Sequence, residues 1–383
     1  CLLRMREAAF KMIDMAKKRG CTVILCGADA TDHYADYLAH GADYCLLGEG
    51  EETLLELLGR LSAGQDAADL IGVATHHSTR ISRRPDITDL DKLPFPAWDL
   101  VDIQKYKKIW MSRHGYFSMN VVTTRGCPYH CNWCAKPIWG QRYNSRSPEN
   151  VAAEIKWLKE TYAPDHIWFA DDILGLKPKW LERFAELLQE ANAVIPFKCL
   201  QRADLINEKT AAALARAGCK TVWLGAESGS QKILDAMDKG DTVADIYRAA
   251  QLLQRQGIEV GFFLQFGYPG ETWQDVQKTL KMVRDCSPDD IGISVSYPLP
   301  GTKFFERVKL ELGERQNWID SQDLAMLYRG PFPTEFYRIL HGRVHYEFRA
   351  RRALRRPSMR AVASIPRNLF GILKSELQLR RYL

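Results

Sequence analysis

The chain has 383 residues, 46% hydrophobic and 26% charged, a balance that excludes a disordered or collagen-like polymer and leaves room for two domains. No run of about 18 apolar residues occurs, so no helical membrane span is expected, and no signal peptide is legible. The net charge of +6 is uneven: from His341 onward eleven Lys/Arg face two Glu, which suits peripheral contact of the tail with an anionic membrane or a nucleic acid, or a plain solvated helix surface.

The first residue is Cys1 rather than methionine, so a fragment lacking its true N-terminus is expected. Apolar periodicity predicts a helix over 2–19, a strand over 22–26 ending at Gly27, and a helix over 32–40. A strand over 43–47 then runs into "GEGEET", and a helix covers 51–61 with acidic residues in its first turn. This alternation predicts part of a doubly wound, Rossmann-like α/β sheet in residues 1–70. Two strands are too few for an independent sheet, in keeping with a truncated domain. Residues 71–118, including "DKLPFPAWDL", show no sustained periodicity and read as a linker, with Phe95 and Trp98 available to pack it.

A second alternating series fills residues 119–300. Its strands are "NVVTT", "HIWFA", "FKCL", "TVWLGA", "EVGFFLQF" and "IGISVSY". Helices are predicted between them over 148–162, 178–191, 208–217, 231–237 with 243–256, and 271–285. Six βα units predict a partial (β/α)6 barrel with its chemistry at the C-terminal strand ends. Residues 301–383 read as a helical basic extension, with helices over 334–355 and, beyond Pro357, over 368–379.

"RGCPYHCNWCAKP" follows the first strand of this series and sets Cys127, Cys131 and Cys134 in a C-x3-C-x2-C array. Three cysteines are one short of the four ligands of a structural zinc or an ordinary cubane. His130 adjoins Cys131 too closely to complete a tetrahedral zinc site easily, and a catalytic thiol needs one cysteine. The remaining reading is a [4Fe-4S] cluster with one iron open to an exogenous amine and carboxylate. The other seven, Cys1, Cys21, Cys26, Cys45, Cys199, Cys219 and Cys286, are scattered. They read as buried free thiols in a reducing cytosol.

With the aromatic Trp133 just before the third cysteine, the array resembles that of the radical S-adenosylmethionine superfamily. The resemblance implies Cys127, Cys131 and Cys134 as metal ligands and S-adenosylmethionine on the open iron. It further implies an electron donor such as ferredoxin or flavodoxin, and a 5′-deoxyadenosyl radical that takes hydrogen from a small-molecule substrate. Cofactor contacts are implied at Trp133 and at "FADD", where Asp171 or Asp172 would meet the amino group or else cap a helix. They are implied also at Glu227, otherwise a loop carboxylate near Lys220 or Lys232, and at Val260 and Gly261 beside adenine. Arg202 on the same rim would bind a carboxylate or form an ordinary salt bridge. Tyr297 would line the substrate cavity or pack, and Gly126 and Pro128 would shape the cluster loop.

"LCGADAT" and "GEGEET" resemble the second half of the cobalamin-binding domain in the subfamily that includes anaerobic magnesium-protoporphyrin monomethyl ester cyclases. This implies cobalamin near Gly27 and Gly48. A D-x-H-x-x-G motif is absent, and neither His33 nor His40 has that context. "NWIDSQDLAMLYRG" resembles C-terminal segments of the same subfamily. Two other readings stand beside this one: a methylthiotransferase on the same barrel, and a non-catalytic zinc knuckle that binds nucleic acid through the basic tail.

Overall fold

The structure, a computed structural model, describes residues 5–136, 138–312 and 324–383. The N-terminal elements are α1 (Arg6–Lys17), β1 (Ile24–Leu25), α2 (Ala28–Asp32), α3 (Tyr34–Ala39), β2 (Tyr44–Leu46), α4 (Glu51–Ser62) and β3 (Val73–Ala74). β1 and β2 are parallel, as the alternation predicts. The single helix expected over 32–40 is instead two short ones. β3 lies in the stretch read as linker and joins the sheet antiparallel to β2, pairing Cys45 with Ala74. Two residues of strand are too short to leave a periodic signal. Ala9, Ile13, Tyr37, Leu38 and Cys45 form the core beneath α1. Arg6 donates to both oxygens of Asp29 at 2.7 and 2.8 Å and so fixes α1 to α2.

The linker also contains α5 (Ile103–His114), begun by the Asp102 side chain, which accepts from Lys105 N, and ended by Gly115 at φ 77°. Only Ile103 of this helix is buried, so it has no apolar stripe to read. Then follow β4 (Ser118–Val121), β5 (Thr124–Arg125), β6 (Asn144–Ser145), α6 (Pro148–Thr161), β7 (His166–Phe169), α7 (Trp180–Glu190) and β8 (Phe197–Gln201). The series continues with α8 (Glu208–Ala217), β9 (Cys219–Glu227), α9 (Gln231–Ala236), α10 (Val243–Arg255), β10 (Glu259–Phe266), α11 (Trp273–Cys286) and β11 (Asp290–Val295).

Six strands form one parallel sheet in the order β11-β10-β9-β8-β7-β4. It is the predicted partial barrel, open between the edge strands β4 and β11. Residue alternation sorts its two faces. Met119, Val121, Ile167, Phe169, Val222, Leu224, Val260, Phe262, Leu264 and Phe266 are buried in the core under the helices. The opposite residues turn to the concave face, where Trp168 and Phe263 each remain 39% exposed. Trp223 stacks on Phe263 with ring centroids 4.7 Å apart.

The C-terminal elements are α12 (Lys303–Leu312), α13 (Thr334–Arg355), α14 (Met359–Ala363) and α15 (Ile365–Leu379). α13 spans the predicted residues. Its Phe336, Tyr337, Leu340, Val344 and Phe348 belong to the main core, so the extension shares the barrel's helix-side core. Residues 317–323 of "NWIDSQDLAMLYRG" and the predicted start of the first helix lie outside the described residues. Cys45, Cys199, Cys219 and Cys286 are buried as expected, but Cys21 and Cys26 are exposed, because only residues 24–25 of "CTVILC" enter the sheet.

Candidate active site

The cysteine loop is held at the C-terminal end of β4 by a short antiparallel clasp, β5 on β6, pairing Thr124 with Ser145 and Arg125 with Asn144. Gly126 begins the loop at φ 80°, and a Cβ there would sit 2.2 Å from Arg142 O. Only glycine fits so close an approach. Asn132, buried between the second and third cysteines, ties the loop to three other elements. Its Nδ2 donates to Ala236 O at 2.8 Å and Asp238 Oδ2 at 3.0 Å, and its Oδ1 accepts from Tyr268 OH at 2.7 Å. Its backbone oxygen accepts from Phe304 N. Sequence reasoning missed Asn132. An amide locked inside a three-cysteine loop was the available signal.

Asp171 follows β7, where the sequence places it, but its oxygens are occupied. They accept from Thr123 N at 2.7 Å, Thr123 Oγ1 at 2.8 Å and Thr124 N at 2.8 Å. Burial still pushes its carboxyl up to about 6, against the lowering effect of those donors. Asp171 therefore clamps the turn between β4 and β5. Its carboxylate neither caps a helix nor stands free for an ammonium, which leaves a backbone carbonyl of "FADD" as the other expected contact. Asp172 is exposed at the mouth, though surrounded by enough protein to raise its carboxyl pKa, with Lys136 countering.

Cys127, Cys131 and Cys134 are all partly buried and sense one another's charge. Burial raises the Cys127 thiol, and pushes Cys134 up to about 12, with Lys136 pulling both down. Such thiols ionise when a cationic centre takes them as ligands. Among the described residues no three His, Cys, Asp or Glu side chains converge as a single ion requires, and His130 is exposed. Trp133 packs against the core cluster that contains Ile233, Met237, Tyr268 and Phe304, and its buried indole N–H has no partner among the described residues.

Beside Cys131 lies a nest of buried charge. Arg202 points one nitrogen at Cys131 Sγ, 3.8 Å away, forms a two-pronged pair with Asp204 at 3.0 and 3.1 Å, and donates to Lys239 O at 2.9 Å. Its guanidinium also covers the Tyr129 ring at 3.7 Å. The expected salt bridge is thus present, and it also serves the cluster loop. Glu227 ends β9 in the left-handed region at φ 54°, a conformation costly for a non-glycine residue. It lies 3.9 Å from Lys239 Nζ, not beside Lys220 or Lys232. Burial pushes its carboxyl up to about 7 despite Lys239. Asp241, 3.8 Å from Lys239 Nζ, keeps both carboxylate oxygens buried, with no donor beyond its own backbone N–H among the described residues. No motif pointed to Asp241; its role emerges only when β9 and the loop after α9 meet.

Val260 and Gly261 stand at the opposite end of the sheet. Gly261 pairs with Asp290, the first residue of β11, and Val260 is buried in the helix-side core. A Cβ on Gly261 would lie 2.5 Å from the Trp223 ring. Gly261 thus makes room for Trp223, and the pair lies away from the strand ends where an adenine contact was expected. Tyr297 is partly buried and packs on the main core.

The "GEGE" turn reaches the cluster loop directly. Glu49, nearly buried, accepts from Arg125 at 2.8 Å and from Trp139 Nε1 at 2.7 Å. Gly48 N donates to Thr31 Oγ1, which donates to Gly27 O, so the two glycine turns are tied together. Gly27 has φ 111°. A Cβ on Gly48 would meet the Arg83 guanidinium at 3.3 Å, and Arg83 donates onward to Ile138 O. Arg83 therefore covers Gly48, whereas Gly27 is partly exposed.

Comparison with known proteins agrees with this geometry. Residues 121–283 match the family model described as the radical SAM superfamily. An uncharacterized methyltransferase, PH0819, of Pyrococcus horikoshii is 31% identical over 69% of this chain and 57% of its own length. The anaerobic magnesium-protoporphyrin IX monomethyl ester cyclase of Rubrivivax gelatinosus is 28% identical over 78% of this chain and 54% of its own. The chain thus spans little more than half the length of either relative. The cobalamin-dependent S-adenosylmethionine radical enzyme OxsB, solved with aqua-cobalamin bound, shares the fold over 98% of this chain and 63% of its own, at TM-score 0.73 and 17% identity. Residues 121–283, which carry the cysteine loop and most of the six-stranded open barrel, are thus a radical SAM domain.

Proposed function

We propose that the protein is a radical S-adenosylmethionine enzyme of the cobalamin-associated branch, transferring a methyl group to a small molecule or cyclising it. The observation that carries this is the trio of thiols at the sheet's C-terminal rim, on a loop bonded to the N-terminal unit through Arg125 and Glu49. Cys127, Cys131 and Cys134 would hold a [4Fe-4S] cluster. The buried carboxylate of Asp241, with Glu227, would receive the polar groups of S-adenosylmethionine, and the Gly27 turn would be the contact for cobalamin. Together these groups supply reductive carbon–sulfur cleavage, hydrogen-atom abstraction and methyl carriage.

The chain's own residues set the conditions. Arg202 places a fixed positive charge beside Cys131, and Asn132 and Asp171 hold the loop rigid. The concave face supplies Trp168, Trp223 and Phe263 to cover the substrate and keep water away. Lys198 Nζ, 4.0 Å above the Trp168 ring, offers an anion partner there. A ferredoxin or flavodoxin is the proposed electron source, and the cytosol the proposed compartment.

The test is anaerobic reconstitution with iron and sulfide, then incubation with cobalamin, reductant and S-adenosylmethionine. Formation of 5′-deoxyadenosine together with S-adenosylhomocysteine indicates radical methyl transfer, and the first alone indicates abstraction without methylation. Neither product from a fully loaded protein overturns the proposal.

A further inference from the structure

The last long helix is built inside out. The side of α15 that meets α13 carries Asn368, Gly371, Ser375 and Leu379, all buried. Gly371 brings Tyr346 so near that a Cβ would lie 2.6 Å from its ring. The outward side carries Leu369, Phe370, Leu373 and Leu377, exposed by 51%, 68%, 65% and 66%. An ordinary surface helix shows the reverse arrangement. At about 100° per residue, these four side chains fall on one continuous stripe. Leu354, Met359 and Val362, also exposed, lie in the preceding elements.

Charge rims this stripe. Arg367 and Lys374, seven residues apart on α15, fall along one flank, and Arg352, Arg360, Arg380 and Arg381 are exposed nearby. None of these six has an acidic partner among the described residues. The two acids of the region are already engaged: Glu347 pairs with Arg343, Arg351 and Arg284, and Glu376 with Arg343.

We propose that α15 is a peripheral membrane-binding surface that seats Leu369, Phe370, Leu373 and Leu377 in the interfacial layer of an anionic bilayer, with the arginines on lipid phosphates. Apolar insertion and polybasic attraction are the two signals that together make such binding stable. A nucleic acid would satisfy the arginines but leave the apolar stripe in water. A second copy docked on the same stripe would bring the two basic rims together, at a cost in like-charge repulsion.

Vesicle flotation of the full chain tests this. Phosphatidylcholine vesicles with and without phosphatidylglycerol would be compared at ~0.1 M and ~1 M ionic strength. The chain is expected to float with the anionic vesicles at the lower ionic strength, and roughly tenfold less without phosphatidylglycerol or at high salt. Phe370→Asp with Leu373→Asp is expected to lower binding at least about tenfold, with circular dichroism and thermal midpoint preserved. Arg367→Glu with Lys374→Glu keeps the apolar stripe and is expected to lower binding at low salt only. Absence of flotation with anionic vesicles overturns the proposal, as does binding indifferent to both variant pairs. A dimer seen by light scattering and dissolved by the aspartates would assign the face to a second copy. Retention by nucleic acid without flotation would assign the arginines to that ligand instead.

Discussion

Glu227 and Asp241 illustrate how a buried carboxylate signals a ligand. Both sit within 4 Å of Lys239 Nζ, at 3.9 and 3.8 Å, yet among the described residues no donor beyond its own backbone N–H reaches the Asp241 carboxylate. A buried oxygen without a donor costs on the order of 1–3 kcal/mol, a cost that a bound polar group would remove. Asp241→Asn and Glu227→Gln are each expected to weaken S-adenosylmethionine binding about tenfold, or roughly 1.4 kcal/mol, with cluster iron content unchanged. Equilibrium dialysis on reconstituted protein measures this, and an unchanged dissociation constant would remove that residue from the site. Glu271, far from the cysteines in sequence, makes a pH prediction. Its Oε2 accepts from Gly267 N at 2.7 Å, and burial pushes its carboxyl from 4.5 up to about 8. A raised folded-state pKa contributes stability that is complete below about pH 4.5 and lost as pH climbs through 8. Between those limits the loss approaches roughly 1.4 kcal/mol per pH unit. Urea midpoints at pH 5 and pH 8 should therefore fall more for the native chain than for Glu271→Gln. Equal falls would show that Glu271 ionises normally.

Among the elements, the cluster loop depends most on contacts from outside itself. Removing the Asn132 side chain leaves the Tyr268 hydroxyl without its acceptor, though Arg307 still donates to it, and the carbonyl of Ala236 without its side-chain donor. Asn132→Ala is expected to cost about 2 kcal/mol and to reduce iron retained on gel filtration, whereas Cys199→Ala is expected to lower the thermal midpoint and leave iron content alone. Full iron in Asn132→Ala would contradict its positioning role. The six long strands and their crossover helices were legible because each alternates apolar and polar residues or carries a helical stripe over many positions. β3, with two residues, and α5, with one buried side chain, carry too little pattern to read. The positions of the cysteine loop after β4 and of Glu227 at the end of β9 were legible from local motifs. Asp171 was placed at the right strand end with the wrong partner, because nothing local shows Thr123 and Thr124 turning back onto it. Val260 and Gly261 were misplaced because a buried strand reads alike along its length, while only the register shows which end meets the loop.

At the scale of the whole molecule, the N-terminal unit is fastened to the barrel at the point where the chemistry is proposed. Glu49 links Arg125, two residues before the first cysteine, to Trp139 beyond the last. Glu49→Ala is expected to accelerate hydrogen exchange in both the 44–50 turn and the 126–136 loop, and acceleration in the turn alone would show that the two are not mechanically joined. The central claim is that three thiolates hold a cubane whose remaining iron accepts S-adenosylmethionine. The most direct test is electron paramagnetic resonance of the reconstituted, reduced protein before and after S-adenosylmethionine is added. A cubane signal that shifts on addition, and that is absent from Cys127→Ala, Cys131→Ala and Cys134→Ala, is the predicted result. A cubane signal indifferent to S-adenosylmethionine, or one that survives loss of any of the three cysteines, would contradict it.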